Sequence, residues 1–572
     1  MELSGAILVA LTSLACWMLY LNRKGQRGKG RLPPGPTPLP LLGNLLQLDP
    51  KKMDRSLEKL SKQYGPVYTI HLGSLPCVVL CGYQAVKEAL VDQGDAFSDR
   101  GDFPVFYRFT HGNGIAFSNG EKWKVLRRFA LQTMKNFGLG KSSIEARIQE
   151  EAQCLVEEFR KTGGAPFNPL ALVCRAVSNI ICVVVFGRRF DYEDDDFLTL
   201  LHHFNDNFRL MSSVWGELYN IFPRLMDFLP GPHHQIFRNF ERLHQFIAGR
   251  IRGHQKDLDP ACPRDFIDCF LIRMEQEKHD PLSYFHMDSL VMTTHNLFFG
   301  GTETTSTTLR YSFLILMKYP EVAGEIGEGE SQRGVASSFS RAPRELLGLA
   351  SFPGVARATL GSVQLPPLGW HRQMATYLPA CLPPGPLFSL SHTHQVSFSL
   401  LAAKVHEEID RVIGRDRAPC LADRKDMPYT EAVLQEIQRF ISLLPMGLPR
   451  AVTQDTPFRE FLLPKGTNVI PLLSSVHYDP TQFKDPTSFN PNNFLDENHS
   501  FKSNDAFMPF APGKRICLGA GLARMEIFLF LTTLLQRFSF QPLVTPAEID
   551  LTPQCTGLGN VPPPFGFRVL AR

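Results

Sequence analysis

Ten residues near the C-terminus constrain this chain more than any other stretch: Phe510-Ala511-Pro512-Gly513-Lys514-Arg515-Ile516-Cys517-Leu518-Gly519. One cysteine lies between two glycines, two residues after an arginine, and a long apolar run from Leu518 to Phe540 follows. A lone cysteine is commonly buried and inert. The spacing F-x-x-G-x-R-x-C-x-G gives each part a use if Cys517 is the ligand of a heme iron. Gly513 and Gly519 lack Cβ, so the backbone can turn tightly and approach a flat ring. The apolar run reads as a buried helix whose N-terminal amides favour a thiolate. Arg515 can neutralise a propionate, and Phe510 can pack beside the ring and shield the sulfur. A thiolate axial ligand pushes electron density onto iron and favours O–O cleavage.

The remaining composition narrows the class. With 572 residues the chain can bury a large core. A net charge of +4 points to no nucleic acid. Twelve cysteines without a C-x-x-C pair read as reduced thiols on the cytosolic side. The 44 phenylalanines predict an interior or pocket rich in aromatic surface.

Residues 1–22 read as a membrane anchor, because Leu3 to Leu21 is mostly apolar and a bilayer span takes about 20 residues. The basic run Arg23, Lys24, Arg27, Lys29 and Arg31 follows at once and holds that side in the cytosol. A cleaved signal peptide would carry its charge before the apolar run. Residues 23–40 form a basic, proline-rich linker with a stiff Pro33-Pro34-Gly35-Pro36 hinge. Short β-type runs at Val67–Leu72 and Cys77–Leu80 suggest a small sheet, and helical segments dominate from Glu121 onward.

Three helical stretches carry further signals. Trp123 and Arg127 stand four apart and share one helix face. Lys122, Lys124 and Arg128 of the same helix either form a solvated face or dock an acidic redox partner. The segment His286–Tyr319 reads as one long apolar helix containing Gly300-Gly301-Thr302-Glu303-Thr304-Thr305. Paired glycines cost roughly 1 kcal/mol each inside a helix, and a buried carboxylate is expensive unless used or paired. Such a helix crossing a heme would leave room for dioxygen at the glycines, with Thr304 bonding to the backbone. Glu436 and Arg439 stand at i, i+3, where opposite charges can pair.

Together these motifs resemble the microsomal cytochrome P-450 enzymes of family 2, in order along almost the whole chain. The resemblance rests on the anchor, Pro33–Pro36, W-x-x-x-R at Trp123, Gly300–Thr304, E-x-x-R at Glu436 and the Cys517 loop. It implies a mainly α fold with a small β region, a cytochrome P-450 fold with an N-terminal transmembrane helix. It implies heme with Cys517 as metal ligand, Phe510, Gly513, Arg515 and Gly519 around it, and Arg100, Trp123, Arg127 and Arg450 as further cofactor contacts. Thr304 and Glu303 would be the catalytic proton relay. Phe117, Asn296, Phe299, Leu448 and Val561 would line the substrate pocket. Glu436, Arg439 and Asn493, the last from Pro491-Asn492-Asn493-Phe494, would form a structural group, with an amide where relatives often carry Arg or His.

The implied function is monooxygenation of lipophilic substrates such as xenobiotics, fatty acids or steroids. Electrons come from NADPH through NADPH–cytochrome P-450 reductase, with cytochrome b5 as a second partner. The implied setting is the endoplasmic reticulum membrane, catalytic domain to the cytosol. One departure interrupts the catalytic domain 41–572. In relatives Ala323 runs directly into Ala403; here residues 324–402 intervene, without Lys, Asp or Asn and with two Pro-Pro pairs. The segment reads as a disordered insertion resembling translated intron. Three competing readings stay open: a thiolate-heme isomerase or dehydratase, a heme-binding module without turnover, and an anchored chain that the insertion leaves inactive.

Overall fold

The computed structural model describes residues 32–138, 142–319 and 400–572. Among these the longer helices are Met53–Tyr64 (α1), Pro104–Thr110 (α2), Gly120–Asn136 (α3), Ser142–Lys161 (α4), Leu170–Phe186 (α5) and Asp195–Met211 (α6). They continue with Val214–Ile221 (α7), His233–Lys256 (α8), Phe266–Gln276 (α9), Met287–Lys318 (α10), Leu400–Val412 (α11), Pro428–Ile441 (α12) and Ala520–Arg537 (α13). α1 and α2 thus precede the point at which composition predicts helices to dominate.

The strands are Val67–Leu72 (β1), Leu75–Cys81 (β2), Asp99–Arg100 (β3), Arg450–Ala451 (β4), Thr456–Phe458 (β5), Phe461–Leu463 (β6), Asn468–Leu472 (β7), Phe538–Pro542 (β8) and Phe567–Ala571 (β9). Five of them form a mixed sheet in the order β1-β2-β7-β4-β3. β1 and β2 pair antiparallel, and β2 runs parallel to β7 with Cys77 opposite Asn468. β3 and β4 pair antiparallel with Arg100 opposite Arg450. Like charges directly across a ladder repel, so this register carries a local electrostatic cost.

α10 is the axis of the helical part. It packs against α5, α6, α8, α9, α11, α12 and α13, so most of its surface is buried. A helix apolar on all sides is stable only inside other helices. The exposed or half-buried residues in its middle are Asn296, Phe299, Gly300, Gly301 and Thr304. Asn296, Gly300 and Thr304, four apart, make one stripe along the helix, with Phe299 and Gly301 on its flanks.

α13 is the apolar run after the cysteine; it stops at Arg537, where β8 takes over with Phe538. Leu400–Ala402, grouped by composition with the insertion, instead open α11, and Leu401 is fully buried in the main core. Residues 324–399 of that segment lie outside the described residues. So does the expected anchor at 1–22, and among the described residues no helix is long and apolar enough to cross a membrane.

Candidate heme-thiolate site

The loop 510–519 is held in place by its neighbours. Gly513 has φ +80°, and a Cβ there would lie 1.7 Å from the Leu90 carbonyl oxygen. This backbone contact by itself demands glycine. Gly519 is different: it is the N-cap of α13, and nothing lies within 4 Å of where its Cβ would be. The Cys517 N–H donates to the Phe510 carbonyl at 3.0 Å and closes the loop. The Arg524 guanidinium lies 5.1 Å from the Phe510 ring and fixes that side chain.

Cys517 is solvent-accessible, yet desolvation pushes its thiol pKa up. Both hold if the sulfur borders a recess enclosed by protein. The Gly519 N–H, Arg127 and Arg524 pull the pKa back toward the thiolate. Arg127 also donates from Nη2 to the Ile516 carbonyl, which ties α3 to the residue before the cysteine.

Four cationic or donor groups converge without an anion to receive them. Arg515 is 4 % exposed and stacks its guanidinium 3.8 Å from the Trp123 ring centre. It donates to the Ser98 carbonyl at 2.6 Å and the Ser118 carbonyl at 2.7 Å. Arg100 donates from Nε to the Ala116 carbonyl at 2.9 Å. Still, Arg100 Nη1, Trp123 Nε1, Arg450 Nε and Arg515 Nη1 are buried without a hydrogen-bond partner among the described residues. Burial, and then mutual repulsion with Arg127, lowers Arg450 to about 10. Arg515 falls to about 9 through burial, then Arg450. Arg100 is lowered strongly by burial, then by Arg450, Arg515 and Arg127. Buried unpaired cations are costly, and a ligand carrying two carboxylates beside an accessible thiol satisfies them. The residues present fit a heme.

Asn119 was not legible in the sequence. Its Oδ1 accepts from the Arg100 N–H at 2.7 Å and from Arg515 Nη2 at 3.1 Å, and its Nδ2 donates to the Arg100 carbonyl at 3.1 Å. It locks β3, the start of α3 and the cysteine loop together. An asparagine before a helix looks like an ordinary cap, so nothing local marks it.

On α10 the Thr304 hydroxyl donates to the Gly300 carbonyl at 2.8 Å. Gly300 faces open space, whereas a Cβ at Gly301 would meet Ile181 of α5 at 3.1 Å. One glycine serves the accessible stripe and the other serves packing. Glu303 is 1 % exposed and turns away from that stripe toward Asn205 of α6, whose Nδ2 donates to Oε2 at 3.4 Å. Burial pushes its pKa up to about 8, against the pull of Arg310 and Asn205.

Phe117 and Phe299 join one aromatic cluster through Phe106, with ring centres 4.4 and 6.3 Å from it. Phe103, Phe204 and Phe208 extend it. Asn296 Oδ1 accepts from the Ile115 and Ala116 N–H groups at 3.0 and 3.1 Å, so this amide holds the 112–117 loop. Leu448 is half-buried and Val561 buried, both on the same core.

Elsewhere, Glu436 and Arg439 are fully buried and bonded at 2.6 and 2.7 Å. Arg439 also donates to the His477, Pro486 and Ser488 carbonyls, and Asn493 Nδ2 lies 3.4 Å from both Glu436 oxygens. Of the three α3 cations, half-buried Lys122 donates to Asn113 Oδ1. Lys124 pairs with Glu121, and Arg128 is exposed.

An accessible thiol at the mouth of a buried helix, a set of unsatisfied arginines beside it and a glycine-opened helix define a heme-thiolate oxygen-activating protein. Comparison with known proteins gives the family. The family model for Cytochrome P450 matches residues 33–335 and 400–569. The chain is 54 % identical to mouse Cytochrome P450 2F2 over 94 % of both chains. It is 52 % identical to goat (Capra hircus) Cytochrome P450 2F3 over the full length of both, and 46 % identical to rat Cytochrome P450 2C11 over 97 % of this chain and 96 % of that one. The chain belongs to the cytochrome P450 family, within family 2, and is a heme-thiolate monooxygenase.

Proposed function

We propose that this chain oxygenates small lipophilic molecules at the endoplasmic reticulum membrane, with electrons delivered from NADPH by the reductase and with cytochrome b5 as a second partner. Heme, held by Cys517 and with its propionates on Arg100, Trp123, Arg127, Arg450 and Arg515, supplies the oxygen activation. The observation that carries the reading is the stripe Asn296–Thr304 on an otherwise buried helix, walled by aromatic rings. Thr304 holds its hydroxyl proton on the Gly300 carbonyl, beside the open space at Gly300, and can give it to an oxygen acceptor bound there while taking another in return. Glu303, with its pKa near 8, remains protonated at neutral pH and can resupply it. The rings bind apolar substrate and exclude water.

Membrane contact has support beyond the expected anchor. Leu41, Leu46, Leu225 and Phe228 are exposed at 65 %, 75 %, 55 % and 88 %. Gly73 brings the two groups together, since a Cβ there would lie 3.2 Å from Ile221 and Phe222 and 3.5 Å from the Leu41 carbonyl. An apolar patch of this kind suits a lipid surface.

The second reading, an inactive chain, draws on one observation: the family model passes over residues 336–399. Full-length protein and a form lacking 324–399, each reconstituted with reductase, decide between them. NADPH consumption coupled to oxygenated product from an aromatic hydrocarbon, fatty acid or steroid by the full chain supports the enzyme. Product only from the shortened form supports the inactive reading.

A further inference from the structure

Glu303 is held from an unexpected side. Its Oε2 accepts from Asn205 Nδ2 at 3.4 Å, while Oε1 is buried and has no partner among the described residues. Asn205 is on α6 between Phe204 and Phe208, which face the substrate stripe. The Phe204 ring centre lies 5.0 Å from Phe298 and 6.0 Å from Phe299, and that of Phe208 lies 6.1 Å from Phe299. The same Nδ2 lies 3.9 Å from Cys174 Sγ of α5.

We propose that Asn205 is a positioning residue for Glu303: its amide fixes one carboxyl oxygen, leaves the other free for proton exchange, and couples the acid to the helix that contacts substrate. This rests on the reading of Glu303 as relay acid. A carboxyl with one anchored oxygen has a single orientation, whereas without the anchor it turns freely in its cavity. Because the anchor comes from α6, a shift of that helix around substrate moves the acid with the aromatic wall. Asparagine suits the place because its amide donates without adding charge. An aspartate there would set two carboxyls together, one of which would have to stay protonated.

The groups facing Glu303 are few. Arg310 lies two turns along α10, 5 % exposed and with Nε unpartnered, and its charge lowers the pKa of the acid. Cys174 and Arg175 face the same region from α5, the thiol driven up by burial and then by Glu303. Glu526 of α13 bonds to Thr305 instead. A donor to the carboxylate favours its ionised form, so losing Asn205's N–H raises the pKa of Glu303.

The test uses the full chain in membranes with reductase and one bound lipophilic substrate. Product formed per NADPH is followed against pH, and an infrared titration of the carboxyl band lost in Glu303→Gln gives the same pKa without turnover. In the unsubstituted protein both fall as pH rises through about 8. Asn205→Leu is expected to move both to higher pH by about one unit and to lower product per NADPH at neutral pH by about tenfold. The substrate dissociation constant should stay within about twofold. Asn205→Asp, nearly the same size, keeps the packing and should move the product limb in the same direction. If Glu303→Gln leaves the alkaline limb in place, the relay reading of Glu303 fails. If Glu303→Gln removes the limb while both Asn205 variants leave limb and yield unchanged, the proposal for Asn205 is overturned.

Discussion

Replacing Arg450 by methionine should affect the heme-free and heme-bound proteins in opposite directions. Arg450 is 3 % exposed, sits across the ladder from Arg100 and has a buried Nε with no hydrogen-bond partner among the described residues. Its pKa falls from 12.5 to about 10, which at 1.36 kcal/mol per unit is a charging penalty of about 3 kcal/mol. Methionine, unbranched, apolar and shorter, removes that penalty and leaves no polar group stranded. Heme-free Arg450→Met protein should therefore resist urea better, by about 1–3 kcal/mol after relaxation of the site. The heme-bound protein should lose a charge-assisted contact of about 1.5–3 kcal/mol and release heme about tenfold or more faster. Arg515→Met is the contrast, because Arg515 also donates to Ser98, Ser118 and Asn119; it should destabilise both forms. Urea midpoints of the two forms, with heme transfer to an excess acceptor protein, read both signs. Equal destabilisation of heme-free and heme-bound protein by Arg450→Met would refute the idea that these charges await an anionic ligand.

Thr304→Ala should leave substrate affinity unchanged and lower product per NADPH on the order of 10- to 100-fold, with Thr304→Ser recovering much of it; equal yields by product analysis would contradict the role of the hydroxyl. Glu436→Gln strands a fully buried Arg439 and should cost about 3–5 kcal/mol in urea unfolding, a large part of the stability of any domain. Phe228→Glu together with Leu46→Glu should weaken sedimentation with lipid vesicles of a form lacking residues 1–22; unchanged binding would remove that patch from the membrane surface.

The cysteine loop, the long helix and the Glu436–Arg439 pair were legible because each is a local pattern whose chemistry is written within a few residues. The Arg100–Arg450 opposition was not, since it depends on a strand register between segments far apart in the chain. Asn119 and Asn205 carry no local signal, and only tertiary neighbours give them partners. Gly513 pointed to a close approach, and the Leu90 carbonyl is a neighbour that the sequence could not name. Lys122 looked solvated and instead folds back on Asn113. Asn296 looked like pocket lining, yet its oxygen is committed to two backbone amides. The start of α11 was set three residues late because Leu400–Ala402 share the composition of the insertion, and only the buried Leu401 distinguishes them.

The most direct test of the site is the absorption spectrum of the reduced, carbon-monoxide-treated full chain in membranes, beside Cys517→Ser and the form lacking 324–399. A thiolate-type Soret band from the full chain, lost in Cys517→Ser, is the predicted result. A band that survives Cys517→Ser, or one that is missing from both the full and the shortened chain, would contradict the assignment of Cys517 as the ligand.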